Sequence, residues 1–164
     1  MDQLISKKIE QDLKGDGNYI AFSSTLAGYH KFKVRPIAGP QFPMVMMRES
    51  SNIRHGNAIT INSFDSSKYS ERAVQQADGR EIFGKIIGRV PKKLADIFAP
   101  LMDKNFMIKG LAFFTGKVIQ KGMQEGGGPH LCCIYLLKLS SKEHLDLLNE
   151  QIDDDCIIFA RYEV

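Results

Sequence analysis

What most constrains this chain is its punctuation. Between Tyr19 and Leu139 the apolar residues fall into short runs, each closed by Gly, Pro, Ser or Asn. Tyr19-Ile20-Ala21-Phe22, His30-Lys31-Phe32-Lys33-Val34, Pro43-Met44-Val45-Met46-Met47 and Asn57-Ala58-Ile59-Thr60-Ile61 have the texture of strands. Glu81–Val90 adds another, weakened by Gly84, and Phe106–Thr115 and Pro129–Leu139 are joined by a hairpin-like excursion through Lys121-Gly122 and Gly126-Gly127-Gly128. Only one segment has a strong helical period. Pro91 opens it, where a missing N–H costs nothing, and Leu94, Ile97, Phe98, Leu101 and Met102 then form one apolar stripe that reads as core. Pro100 lies inside this stripe and is expected to kink or divide the helix, which Asn105 ends. About six short strands with one or two short helices predict a mainly β fold, a small antiparallel barrel of OB-like or SH3-like size.

The flanks read differently. Residues 1–18 form an N-terminal extension in which Leu4, Ile5, Ile9 and Leu13 recur at helical spacing before Gly15-Asp16-Gly17. Residues 62–79 are polar and end on Ala77-Asp78-Gly79-Arg80, so they read as a loop. Residues 141–164 make an acidic tail. Ser140-Ser141-Lys142-Glu143 resembles a capping box, and His144, Leu145, Leu147, Leu148 and Ile152 continue it as a helix. The expected division is therefore 1–18, a central domain over 19–140, and 141–164.

Charge is distributed unevenly. The net charge of +3 combines a tail of −5 over residues 141–164 with 20 basic and 12 acidic residues in positions 1–140, a body of +8. A basic body suggests a polyanionic partner, although a lysine-rich soluble surface gives the same count. No apolar run is long enough to span a membrane, and the first residues lack the pattern of a secretory signal. Three cysteines, with Cys132 and Cys133 adjacent, fit a reduced intracellular chain. Adjacent strand residues face opposite ways, so Cys132, Cys133 and nearby His130 do not converge on a zinc ion, and no metal or other cofactor is expected. Phe113-Phe114 should place one ring in the core and the other elsewhere. Gly126-Gly127-Gly128 lacks the Lys-Ser/Thr of a phosphate loop and reads as a turn.

Two ordered segments carry a family resemblance. Arg48-Glu49-Ser50-Ser51-Asn52-Ile53-Arg54-His55-Gly56-Asn57-Ala58-Ile59 is similar to the HIRAN pattern of Arg-acid-Pro, two Asn, Pro-Tyr-Asp and Asn-Ala-Ile. Ile87-Gly88-Arg89-Val90-Pro91-Lys92-Lys93-Leu94, with the helix that follows, resembles that family's Gly-Arg-aliphatic-Pro segment in the ubiquitin-ligase translocases of post-replication repair. The resemblance implies an OB-like barrel that is not itself an enzyme. It would capture a 3′ end of single-stranded DNA as a module of a larger nuclear, helicase-like fork-remodelling protein, with no membrane association. Carried over by position, Ser51 and Asn52 match the family's polar pair, and His55 stands where a carboxylate receives the terminal hydroxyl. Arg54 stands in an aromatic slot. Arg89 and Lys92, with Lys93, fall at phosphate-binding positions, joined by Arg48. Phe22, Tyr29 and Phe32 are the candidates for base stacking. A histidine at position 55 can accept a hydroxyl when neutral or attract a phosphate when charged. Two other classes stay open: an OB-like module that binds a protein partner at a sheet edge or groove, and a small hydrolase using Cys132 or Cys133.

Overall fold

A computed structural model describes residues 1–13, 17–49, 56–120, 128–152 and 156–163. Its centre is one antiparallel sheet of seven strands in the order β4-β3-β2-β5-β6-β1-β7. The strands are β1 (Asn18–Leu26), β2 (Met44–Arg48), β3 (Ile59–Ser63), β4 (Ile86–Arg89), β5 (Met107–Gln120), β6 (Pro129–Leu139) and β7 (Ile158–Tyr162). Helices α1 (Asp2–Leu13), α2 (Tyr29–Phe32), α3 (Glu71–Ala77), α4 (Lys92–Asp103) and α5 (Lys142–Gln151) pack around it. The sheet does not close as a ladder. Just past β1, however, Ala27 and Arg89 of β4 exchange two backbone hydrogen bonds of 2.8 Å, which ties the edge strand β4 back to β1. Gly88 makes this approach feasible: a Cβ there would lie 2.4 Å from the Ala27 carbonyl oxygen and 2.5 Å from Leu26 Cδ1.

Alternation decides what each strand buries. Ile20 and Phe22 of β1, Ala112 and Phe114 of β5, and Cys133, Tyr135 and Leu137 of β6 face the main core. Their neighbours Tyr19, Ala21, Leu111, Phe113, Ile134 and Leu136 face the other way, into a second cluster covered by Ile5 and Ile9 of α1. The three longest strands are thus buried on both faces. Phe113 and Phe114 both end in core, one on each side of the sheet.

Helix α4 seals the main core with Leu94, Ala95, Phe98 and Ala99. Phe98 meets Phe22 and Tyr135 edge-on, with centroids 6.1 and 5.8 Å apart, and Tyr135 Oη donates to the Thr25 carbonyl at 2.7 Å. The helix passes through Pro100 as one element. Pro100 and Asp96 both lie on its exposed side, where solvent can take the carbonyl that proline leaves without a donor.

Several sequence expectations are corrected. The His30–Val34 run is no strand: Gly28 (φ 89°) starts the single turn of α2, and Lys33 (φ 56°) ends it. Five residues were too few to separate the two periods. Residues 62–79 are not a continuous loop. Ser70 caps α3 by accepting from the Ala73 N–H, and Ala73 and Ala77 anchor it at i, i+4. Of Glu81–Val90 only Ile86–Arg89 is a strand, and β5 runs on to Gln120 across a bulge beyond Phe114. The cap of α5 is Ser141, which accepts from the His144 N–H. Beyond α5, the acidic tail supplies β7, which pairs with Tyr19–Phe22 of β1.

Candidate nucleic-acid interface

The segment Gly88-Arg89-Val90-Pro91 leads from β4 into α4, and its backbone is held at both ends. Arg89 is bridged to Ala27, the Val90 N–H donates to the Ile59 carbonyl at 2.9 Å, and the Ala95 N–H donates to Pro91 at 2.9 Å. Pro91 supplies no side-chain cap, so the first N–H groups of α4 lack acceptors within the helix. The Arg89 side chain is fixed as firmly. It donates from Nε and Nη2 to the two carboxylate oxygens of Glu49, both at 2.9 Å, and its guanidinium carbon lies 5.3 Å from the centroid of Phe32. Both partners are about three-quarters shielded from solvent, at 27% and 24% exposure. Such two-point contacts fix direction as well as charge.

Glu49 begins a connection whose two arms are pinned. Its N–H donates to the Ala58 carbonyl at 2.9 Å. Arg48 donates to the Ala58 and Gly56 carbonyls at 2.7 and 2.9 Å, and pairs with Asp103 at the far end of α4 through Nε at 2.9 Å. Asn57 donates to Asp96 at 3.1 Å, and Asp96 also accepts from Lys92 at 3.1 Å. Arg48, Glu49 and Asn57 therefore tie the end of β2 and the approach to β3 to α4 and to Arg89 just ahead of it.

Against this geometry the sequence candidates separate. Arg89, Lys92 and Lys93 come together at the start of α4, the two lysines exposed. Arg48 pairs with Asp103 at the far end of α4 and makes two further bonds to the Ala58 and Gly56 carbonyls. Phe22 is a correction: it is fully buried between Phe98 and Tyr135 and has no face to offer a base. Tyr29 is partly buried against the main core. Phe32 is the aromatic ring nearest the basic cluster, with Lys31 Nζ 5.4 Å and Arg89 5.3 Å from its centroid. Ser51, Asn52, Arg54 and His55 lie outside the described residues. Glu49 was not anticipated as part of the site. The signal was the acid that follows Arg48, but only the fold shows that it reaches Arg89 across 40 residues.

The Cys133 thiol argues for packing over chemistry. Cys133 is buried in the main core, and burial pushes its thiol well up from the ordinary value, the opposite of what an attacking thiolate needs. Among the described residues no group of His, Cys, Asp and Glu could hold a metal ion, and no helix is long and apolar enough to cross a membrane.

A comparison with solved structures finds the crystal structure of the HIRAN domain of human HLTF, with a TM-score of 0.47 and 16% identity over 84% of this chain and 91% of that one. This chain is similar to a HIRAN domain. No family model and no curated protein matches the sequence.

Proposed function

We propose that this chain binds single-stranded DNA at the start of α4, with Arg89, Lys92 and Lys93 meeting backbone phosphates and Phe32 offering its ring to a base. The observation that carries the reading is the convergence on one turn of three basic residues, a partly exposed aromatic ring and helix N–H groups without internal acceptors. A phosphate needs cations and oriented donors, and an unstacked base needs a flat apolar face; both lie within one small surface. The +8 body supplies the longer-range attraction. Ser51, Asn52, Arg54 and His55 are the residues proposed to favour a strand end, and a 3′ end in particular, following the resemblance stated above. The setting proposed is a module of a larger nuclear DNA-repair protein.

Fluorescence anisotropy at several salt concentrations tests this, using strands with a free 3′-hydroxyl, a 3′-phosphate or no accessible end. The expected result is preference for the free 3′ end, weakened across all strands by Lys92→Glu with Lys93→Glu. Equal affinity for all three strands defeats end recognition, and no binding at low salt defeats the whole reading.

A second reading is a protein-interaction module, and one observation favours it. A groove of about 380 Å³ on the outer sheet face runs between α1 and the Pro40–Pro43 turn, with Leu111 and Phe113 lining it and Lys68 and Lys109 beside them. Recovery of a stable protein partner without any DNA shift would promote it.

A further inference from the structure

The bond between Arg89 and Glu49 raises a question that the proposed function leaves open. If Arg89 meets a phosphate, its charge is already cancelled by a carboxylate that grips it at two points. Glu49 holds the Nε–Nη2 edge, and Phe32 lies against the guanidinium. Among the described residues no hydrogen bond engages Nη1, so the outer edge, Nη1 with the second Nη2 hydrogen, is left as a two-donor fork. A guanidinium carries five N–H donors in one plane, so a ligand oxygen pair can use that edge without displacing Glu49.

We infer that Glu49 is a charge filter on Arg89: it orients the outer fork of the guanidinium while cancelling the positive charge behind it. A phosphate is then accepted for its fit to a rigid pair of donors and gains little from bulk attraction. An isolated arginine would bind any phosphate along a strand and release a counterion each time. The filtered arginine distinguishes phosphates by position. The inference rests on the proposed DNA-binding reading, and it makes Glu49 a positioning residue that acts through Arg89.

The test measures the salt dependence of binding to a circular oligothymidylate, which has no end, for the wild-type chain, Glu49→Gln, Arg89→Ala and the double variant. Glu49→Gln keeps the shape of the side chain and removes its charge. It should bind about 3-fold tighter at low salt, the size of one unit charge acting across a guanidinium in high dielectric, and its salt slope should steepen by about 0.7, one further phosphate neutralised on a single strand. Both changes should vanish when Arg89→Ala is also present. Glu49→Asp, which keeps the charge on a shorter arm, should retain the wild-type slope. Glu71→Gln, the same charge change on exposed α3, should leave the slope unchanged.

If the wild-type chain binds and Glu49→Gln shows no change of slope, the filter is refuted while the DNA-binding reading stands. The filter is equally refuted if Glu71→Gln steepens the slope as much as Glu49→Gln. If folded wild-type chain and Glu49→Gln both fail to bind the circle and a strand with a free 3′ end at low salt, the two fall together; if both bind only the strand, the filter alone is refuted, because removing the charge of Glu49 opened Arg89 to no internal phosphate.

Discussion

Replacing Gly88 by alanine tests how the fold and the candidate site are joined. The added methyl would lie 2.4 Å from the Ala27 carbonyl oxygen and 2.5 Å from Leu26 Cδ1. The first of these atoms is backbone and cannot swing aside, so β4 must separate from the end of β1. Two 2.8 Å hydrogen bonds between Ala27 and Arg89 are lost with that movement, each worth about 1 kcal/mol. Forcing the methyl against Leu26 adds about 1–3 kcal/mol of overpacking. The expected destabilisation is about 3–5 kcal/mol, or a melting temperature lower by about 10 °C for a chain of this size. Urea unfolding followed by circular dichroism measures the first quantity, and a thermal scan the second. Gly56→Ala is the control, since a Cβ there meets nothing within 4 Å. Because the bridge also sets the backbone of Arg89, the variant should lose DNA affinity under conditions where it remains folded. A loss of under about 1 kcal/mol, with binding intact, would refute the claim that the bridge at Gly88 holds β4 against β1.

Phe98→Ala should cost about 3–5 kcal/mol by chemical denaturation, because it empties the contact with Phe22 and Tyr135. Arg48→Met should cost about 1–3 kcal/mol through the abandoned Ala58 and Gly56 carbonyls, with little from the Asp103 pair, whose carboxylate is half exposed; proteolysis near Gly56 should quicken alongside. Ile5→Ala should destabilise by about 2–4 kcal/mol, since α1 closes the second cluster. The Cys133 thiol is raised by burial above its ordinary value of 9.0, so the folded state holds this proton more tightly than the unfolded chain. Its contribution is complete below the unfolded value and is lost as pH rises beyond it. Melting temperature should therefore decline as pH rises above about 9, and the decline should be shallower in Cys133→Ala.

Local pattern determined a good deal of this protein. Short apolar runs closed by Gly, Pro, Ser or Asn placed β2, β6 and the first half of β1, and the i, i+3, i+4 stripe with Pro91 ahead of it placed α4, because these signals depend only on neighbouring residues in the chain. The same logic misread His30–Val34, where five residues satisfy both periods, and overlooked α3, whose buried marks are two alanines. It placed Arg89, Lys92 and Lys93 together at the start of α4, since they are neighbours in the chain. What the sequence by itself could not determine is what those side chains do once the chain has closed on itself. Phe22 looked like a binding aromatic and is core, because β1 carries apolar residues on both faces and only the position of α4 shows which cluster each joins. Arg48 reads as a cation for a ligand and pairs with Asp103, 55 residues away. Glu49, in the chain only the acid after Arg48, holds the guanidinium of Arg89, 40 residues away. Ion pairs and ring contacts act through space over a few ångströms, so their partners are decided by tertiary packing and leave no local mark in the chain.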